Sequence, residues 1–188
     1  MNRTRAKITA VLATAVLAAG LTPSAAFAHG GSGDSGSSEH ESSREVVYEI
    51  RESTERYRSM EKAIRDGYVT TQPVECVEAP GLGAMGVHFV KGSLLDERID
   101  ASKPEALVYM PRKLDREGKY TRYRLVAVEF LSTALEAPVL GGVKFDSEPA
   151  GSTRPFKHSL HAWVWKYNPE GKFAPWNPSI SCPKEKTH

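Results

Sequence analysis

Three ionisable residues lie in otherwise apolar stretches of the sequence. His88 is in GVHFVK, Glu129 is flanked by Ala127 and Leu131, and His161 is in HSLHAWVWKY. A buried carboxylate is costly unless it is paired, hydrogen-bonded or bound to a cation. Two imidazoles and one carboxylate suit iron, zinc or copper as a divalent ion with coordination positions left open. We therefore predict a pocket for a divalent metal or a small molecule at His88, Glu129 and His161.

Two further residues, Glu105 and His158, begin predicted strands and are reserve ligands at the rim of such a pocket. The sequence has neither an H-x-H pair nor an H-E-x-x-H helix, so the three ligands would have to come from separate strands. An alternative is a buried His–Glu hydrogen bond that orders the core; another is that the three residues do not meet. If the site is catalytic, the metal would bind substrate or activate water, with Glu129 as ligand or general base. A non-catalytic role is equally compatible with this pattern.

Two other chemistries are not supported by the pattern. Gly81, Gly83 and Gly86 spell G-x-G-x-x-G, but they lead into a strand, whereas a dinucleotide loop leaves a strand and opens a helix. We predict a sharp turn there instead. Ser159 lacks a G-x-S-x-G elbow, and we expect it on the strand face opposite to His161.

The competing functional class is a ligand- or glycan-binding module. Its binding residues would be Trp163, Trp165 and Trp176, which lie near Tyr167 and Phe173. Aromatic faces with nearby polar groups stack on sugars or line apolar pockets. Tryptophans two residues apart on a strand that is covered on both faces are more often core. A third alternative is a structural or interaction protein without a catalytic site.

The elements that must position these residues are one helix and several strands. Ser42 and Glu45 form an S-x-x-E capping box, and Gly67 is placed to end the helix. The apolar spacing between them predicts a single amphipathic helix. The predicted strands are 86–91, 105–110, 122–131 and 158–167.

Strands 105–110 and 122–131 suit a hairpin with a long tip. Strands 122–131 and 158–167 are apolar on both faces, so the sheet must curl or be covered by the C-terminal segment. Without βα alternation the sheet is expected to be antiparallel. We predict an α+β fold in which a curled antiparallel sheet of about four to six strands packs with one long N-terminal helix.

The N-terminal residues 1–28 are predicted to be a cleavable signal peptide. They combine a basic start, an apolar stretch from Ile8 to Leu21 and small residues before Ala28. A flexible Gly/Ser tether (29–43), one domain (44–183) and a disordered tail (184–188) follow. We therefore expect a secreted protein without a membrane anchor.

The net charge limits the classes of partner, and the cysteine content predicts a disulfide. Once the three basic residues of the signal are removed, 22 Lys and Arg face 23 Asp and Glu, a net charge of −1. This balance argues against nucleic acid as the main partner. Cys76 and Cys182 are the two cysteines, and an even pair in an exported chain predicts a disulfide. It would fasten a proline-rich C-terminal strap over the sheet. The oligomeric state is not indicated.

Three fragments of the sequence resemble those of a known group of proteins. M-G-x-H, P-E-A-L-x-Y and H-x-W-x-W-x-x-N-P-x-G-x-F match residues 85–88, 104–109 and 161–173. In these fragments the domain (44–183) resembles uncharacterised small exported bacterial proteins, commonly from actinobacteria. The resemblance implies one shared domain type and brings no established activity.

Overall fold

The computed structural model of the protein describes residues 35–184. Helices come first in this part of the chain. They are α1 (Ser35–Thr54), a single 3-10 turn (Glu55–Arg58) and the short helix α2 (Met60–Arg65). The predicted signal peptide, residues 29–34 and residues 185–188 lie outside the described residues. No helix of the described part is long and apolar enough to cross a membrane.

The predicted start of the helix is wrong. Helix α1 already begins at Ser35, so Ser42 is inside the helix and does not cap it. Residues 35–43, which were predicted as part of a flexible tether, are therefore helical. The capping box is a local pattern, and hydrogen bonding further upstream overrides it.

The single long helix is also interrupted after Thr54. A continuous helix would use the Tyr57 carbonyl for its own ladder, but this carbonyl accepts a 2.5 Å hydrogen bond from the Tyr109 hydroxyl. Helix α2 then restarts at Ser59, whose hydroxyl caps the backbone N–H of Lys62. Gly67, at φ +93°, ends the helical region as predicted.

The described residues also form ten strands. They are β1 (Val77–Ala79), β2 (Gly83–Val90), β3 (Ala106–Met110), β4 (Lys113–Leu114), β5 (Tyr120–Thr121), β6 (Arg124–Ser132), β7 (Val139–Leu140), β8 (Val143–Lys144), β9 (Asp146–Ser147) and β10 (His158–Ala162). Six of them form a curled antiparallel sheet in the order β1-β2-β3-β6-β10-β9. The fold is thus α+β, as predicted. Strands β3 and β6 form the predicted hairpin, with the β4–β5 ribbon at its tip.

The two faces of the sheet carry separate cores. One face, which includes Leu107, Val128 and Phe130, packs against Ile50 and Tyr57 of the helical region. The other face is covered by the C-terminal segment. The residues of this second core are Ala84, Val108, Met110, Val126, Ala127, Trp163 and Cys182. Both faces are therefore buried, which explains why β3 and most of β6 are apolar.

The C-terminal segment is fastened at three points. Asn177 exchanges two backbone hydrogen bonds with Ala84, and the Trp163 indole donates to the Ala174 carbonyl at 2.6 Å. The predicted disulfide joins Cys76 to Cys182, with 6.0 Å between the Cα atoms. The strap over the sheet is thus confirmed.

The glycine-rich stretch forms a turn at residues 80–82, as predicted, and its last two glycines lie within β2. Gly83 has φ +88°, and a Cβ there would overlap the Asn177 carbonyl. Gly86 has φ +115°, and a Cβ would lie 2.8 Å from the Tyr109 carbonyl. Only glycine lets the two neighbouring backbones approach this closely.

Two irregularities change which residues share a face. A bulge in β6 pairs Val108 with Ala127 but Tyr109 with Leu125, so that Val126 is an extra residue. Leu125 consequently packs on the helix side and Val126 on the strap side. A strict alternation along the strand would instead place Val126 on the helix side with Val128, and Leu125 on the strap side with Ala127.

The second irregularity ends β10 at Ala162, five residues before the predicted end at Tyr167. The N–H of Val164 bonds the Ala162 carbonyl, a tight turn that breaks the alternation. Trp163 therefore stays on the strap side, whereas Trp165 packs with the helix-side core. A strict alternation over 158–167 would instead place both tryptophans on one face.

Candidate metal centre

Three different strands bring the predicted ligands to one face of the sheet. His88 lies on β2, Glu129 on β6 and His161 on β10. Glu129 and His161 are direct cross-strand partners in the β6–β10 register. His88 is opposite Val108 of β3, which separates it from β6. In the described part of the chain these three residues form a cluster, called the His/Glu/His group, in which one ligand atom of each residue lies within 4.8 Å of the other two.

Curvature explains how His88 reaches the other two residues. Strands β3 and β6 lie between β2 and β10. In a flat sheet this places the two histidine backbones about 14 Å apart, further than two imidazoles span. The sheet curls, and Ala106 opposite Glu129 is small enough to leave room above the strand.

The donor atoms are close but poorly arranged for hydrogen bonds to the carboxylate. The Nε2 atoms of His88 and His161 are 3.3 Å apart. Glu129 Oε2 lies 3.4 Å from His88 Nε2, and Glu129 Oε1 lies 3.5 Å from His161 Nδ1. Hydrogen bonds between such groups are normally about 2.7–3.2 Å long. The buried His–Glu hydrogen bond considered above is therefore not well formed.

These separations match those of ligands that share a metal ion. With metal–ligand bonds of about 2.1 Å, tetrahedral geometry separates neighbouring ligand atoms by about 3.4 Å. The His88–His161 and His88–Glu129 distances are close to this value. Two imidazole Nε2 atoms that face each other can either share one proton or direct both lone pairs at one cation.

Burial sets the charge state of the metal-free group. It lowers the pKa of His88 and of His161 to about 4, so both imidazoles are neutral at neutral pH. Neutral imidazole is the form that binds metals. Burial also raises the pKa of Glu129, while the His88 charge and a hydrogen bond from the Ser159 hydroxyl act in the opposite direction. A cation would favour the ionised carboxylate.

Solvent reaches the group from one side only. The His88 side chain is 20% exposed, whereas that of His161 is 3% exposed. On the buried side the His161 ring stacks on Trp163, with 6.2 Å between centroids and 16° between planes. The indole fixes the imidazole orientation, as packing around ligands generally does. Open coordination positions would therefore lie on the His88 side.

The reserve ligands do not join this group. Glu105 is buried, and its Oε2 accepts a 2.9 Å hydrogen bond from the Leu131 backbone. His158 pairs its Nδ1 with the Ser147 hydroxyl at 3.0 Å, and its buried Nε2 has no hydrogen-bond partner among the described residues. Because His158 is an odd number of residues from His161, it points to the opposite face of β10.

The prediction for Ser159 is wrong. Ser159 precedes His161 by two residues, so the two side chains share a face and the hydroxyl reaches Glu129. Sequence reasoning missed it as a neighbour of the carboxylate, although the period of two along the strand is the signal that would have found it. The nearby charges of Asp146 and Arg154 come from the short strand β9 and from the loop after it, whose positions the sequence does not indicate.

The three tryptophans proposed for ligand binding are distributed over different surroundings. Trp163 is 3% exposed and belongs to the strap-side core. Trp165 lies near α1, where its indole donates to Thr54 Oγ1 at 3.1 Å. Trp176 lines a separate open depression with Leu82 and Pro175. Trp163 and Trp165 nevertheless line one depression together, and Trp176 lies apart from them.

Comparison of the chain with protein-family models, curated protein sequences and solved structures finds no match. The resemblance to small exported bacterial proteins therefore stays a prediction, and the function has to be argued from the site.

Proposed function

We propose that the protein binds a single divalent transition metal through His88 Nε2, His161 Nε2 and the Glu129 carboxylate. The observation that supports this most directly is the pair of imidazole nitrogens 3.3 Å apart with a carboxylate oxygen 3.4 Å away. Two neutral donors and one anionic donor suit iron(II) or zinc, and copper is the third metal to test.

Three protein ligands leave at least one coordination position open. A small molecule or water would occupy it on the His88 side, where the group meets solvent. If the centre is catalytic, the bound metal supplies Lewis-acid activation of that water or substrate. The chain's own contribution is to hold the imidazoles neutral and to orient His161 against Trp163.

Export is part of this proposal. The signal-like residues 1–28 and the disulfide between Cys76 and Cys182 both favour an oxidising, extracellular-type compartment. A metal centre formed there would be loaded outside the cytoplasm. N-terminal sequencing of protein recovered from the medium of an expressing bacterium would test cleavage after Ala28.

Metal content is the decisive measurement. Tag-free protein with the disulfide intact is reconstituted separately with iron(II), zinc, copper(II) and manganese(II), desalted, and analysed for bound metal. We expect one equivalent of at least one of these metals, together with a rise in Tm. His88→Asn combined with His161→Asn should abolish both.

The control uses a histidine of similar burial. His158→Asn changes the same residue type on β10 but leaves the His/Glu/His group complete, so it should retain the metal. A wild-type chain that binds none of the four metals contradicts the proposal. Equal retention by the double variant also contradicts it.

A further inference from the structure

A second feature, which includes none of the proposed metal ligands, is a series of open depressions lined by residues of α1, of the hairpin end and of the segment after β10. The first, of about 450 Å³, is lined by Tyr123 and basic residues of the hairpin tip. The second, of about 330 Å³, shares Tyr123 and Arg124 with it and extends to Trp165. The third, of about 500 Å³, shares Arg51 and Trp165 with the second. Together they form one continuous surface, called the basic groove below.

Basic side chains line the groove, and none of the residues that line its three depressions is acidic. Its basic residues are Arg51, Arg58, Arg112, Lys113, Arg122, Arg124, Lys166 and Lys172. In the described part of the chain only Arg58 among them forms an ion pair, with Glu55 at 3.1 Å. The sequence as a whole is nearly balanced in charge. Such a local excess of one sign raises the local concentration of ligands of the other sign.

Part of the groove is held in place before any ligand arrives. Arg51 donates a 2.6 Å hydrogen bond to the Val164 carbonyl, and its guanidinium lies 4.7 Å from the Trp165 ring centroid. Arg58 lies over the same ring at 5.7 Å. Guanidinium groups fixed in this way lose little freedom when they bind an anion bidentately.

The backbone also supports a binding role for the hairpin end. Among the described residues, Arg122 is the only non-glycine residue with a positive φ, at +57°. A long side chain in this conformation costs free energy, and such positions cluster at binding sites. The strained conformation lies directly between β5 and β6, where Arg122 and Arg124 both line the groove.

Aromatic rings accompany the cations. Tyr123 lies between the first two depressions, Trp165 between the second and third, and Tyr167, 77% exposed, at the third. Rings spaced among cations can stack on sugar units while the cations bind charged substituents. Single-stranded nucleic acid uses a similar combination. The disulfide, typical of an oxidising compartment, favours a carbohydrate.

We propose that the basic groove binds an anionic carbohydrate chain, whose sugar units carry sulfate, phosphate or carboxylate groups. The arginines and lysines pair with the charged substituents, and Tyr123, Trp165 and Tyr167 contact the sugar rings. The groove contains none of the proposed metal ligands, although its third depression includes Trp163, the residue that stacks on His161.

The test is calorimetric titration of the full mature chain with defined oligosaccharides. A sulfated heparin-derived hexasaccharide, a hexagalacturonate and a glycerol-phosphate oligomer represent the three charged groups, and maltohexaose is the neutral probe. We expect at least one charged probe to bind, with an affinity that falls as salt is added, and maltohexaose not to bind. The best charged probe identifies the substituent.

Matched variants separate the groove from general charge attraction. Arg122→Gln with Arg124→Gln should weaken binding at least about tenfold, and so should Lys166→Gln with Lys172→Gln. Arg98→Gln with Arg116→Gln removes the same charge outside the groove and should change affinity less than about twofold. Metal content should be unchanged in all three.

Four results would overturn the proposal. They are no binding of any charged probe, equal binding of maltohexaose, equal weakening by the Arg98/Arg116 control, and tighter binding of an oligothymidylate of matched charge than of every oligosaccharide. The last result would assign the groove to single-stranded nucleic acid. Because none of these readouts involves the metal, failure here is distinguishable from failure of the proposed metal centre.

Discussion

The Nε2 atoms of His88 and His161 face each other at 3.3 Å, although the residues are 73 positions apart in the chain and lie on strands separated by two others. Their rings are nearly perpendicular, at 86°. This arrangement places two neutral donors at one point beside the Glu129 carboxylate. It depends on the curl of the sheet, which brings β2 close to β10.

Replacing the Glu129 carboxylate should weaken metal binding without destabilising the fold. Glu129→Gln removes the anionic ligand, and we expect metal affinity to fall at least about 100-fold. The metal-free variant should be as stable as the wild type or more stable, because burial raises the pKa of Glu129 and so disfavours its charge. Competition with a chelator measures the affinity, and denaturant titration measures the free energy of unfolding.

The control for this substitution is Glu105→Gln. It neutralises another buried carboxylate on the same sheet, whose hydrogen bond goes to the Leu131 backbone. Metal affinity should stay within about twofold, since Glu105 does not belong to the His/Glu/His group. Equal losses of metal affinity in the two variants would mean that the affinity depends on charge or on protein stability, and not on Glu129 as a ligand.

The two histidines should make the metal-free protein acid-sensitive. Burial lowers the pKa of each to about 4 from an ordinary 6.5. The folded state therefore excludes a proton that the unfolded state binds between these values. The stability that they provide is complete above pH 6.5 and is lost as the pH falls towards 4.

This dependence is measured by denaturant titration of the metal-free protein at several pH values. His88→Asn with His161→Asn should flatten the curve between pH 6.5 and 4 relative to wild type. The wild-type slope in this range is the reference for the comparison. A double variant with that same slope would contradict the assignment.

Glu105 should have the opposite pH profile. Burial raises its pKa to about 7 from 4.5. Between these values the unfolded state loses a proton that the folded state retains, so the stability contributed by Glu105 falls as the pH rises and levels off above 7. The difference corresponds to about 3 kcal/mol.

Glu105→Gln isolates this effect, because the amide oxygen can still accept from Leu131. The variant should match wild type below pH 4.5 and exceed its stability by up to about 3 kcal/mol at pH 8. Denaturant titrations of the two proteins at matched pH provide the comparison. A constant difference across the range would refute a titrating Glu105.

The disulfide should contribute substantially to stability. It joins residues 106 positions apart, and the chain-entropy model values such a closure at about 4–5 kcal/mol. Cys76→Ser with Cys182→Ser should lower the free energy of unfolding by about this amount. Because Cys182 belongs to the same core as Trp163, which orients His161, metal affinity should fall as well. Unchanged metal affinity in a destabilised variant would show that the strap does not support the centre.

Gly83 should not tolerate replacement by a residue with a side chain, because the backbone of the strap lies directly against it. Gly83→Ala adds a Cβ that overlaps the Asn177 carbonyl, so the strap must move away from β2. We expect a destabilisation of about 2–4 kcal/mol. Gly81→Ala is the matched control: its φ is also positive, at +77°, but its Cβ would have nothing within 4 Å. It should cost about 1 kcal/mol. Thermal unfolding of the two variants distinguishes steric overlap from backbone strain.

The sequence by itself determined the fold class, the hairpin, the covering of both sheet faces, the cysteine pairing and three candidate residues that the structure brings together. Each of these rests on a local or compositional rule. A carboxylate such as Glu129 within an apolar strand is detectable because burying it unpaired is costly. Two cysteines allow one intramolecular pair only. Continuous apolar strands require cover on both faces.

Only the tertiary structure decided where those residues lie relative to one another. The bulge at Val126 and the turn at Trp163 each shift the alternation of a strand, and neither has a local sequence signal. The helix break depends on the Tyr109 hydroxyl, 52 residues from the carbonyl that it binds. The approach of His88 to His161 depends on curvature accumulated over four strands, and the basic groove on the packing of α1 against the hairpin end. Such distances follow from the sum of many small twists and contacts, which no short stretch of sequence specifies.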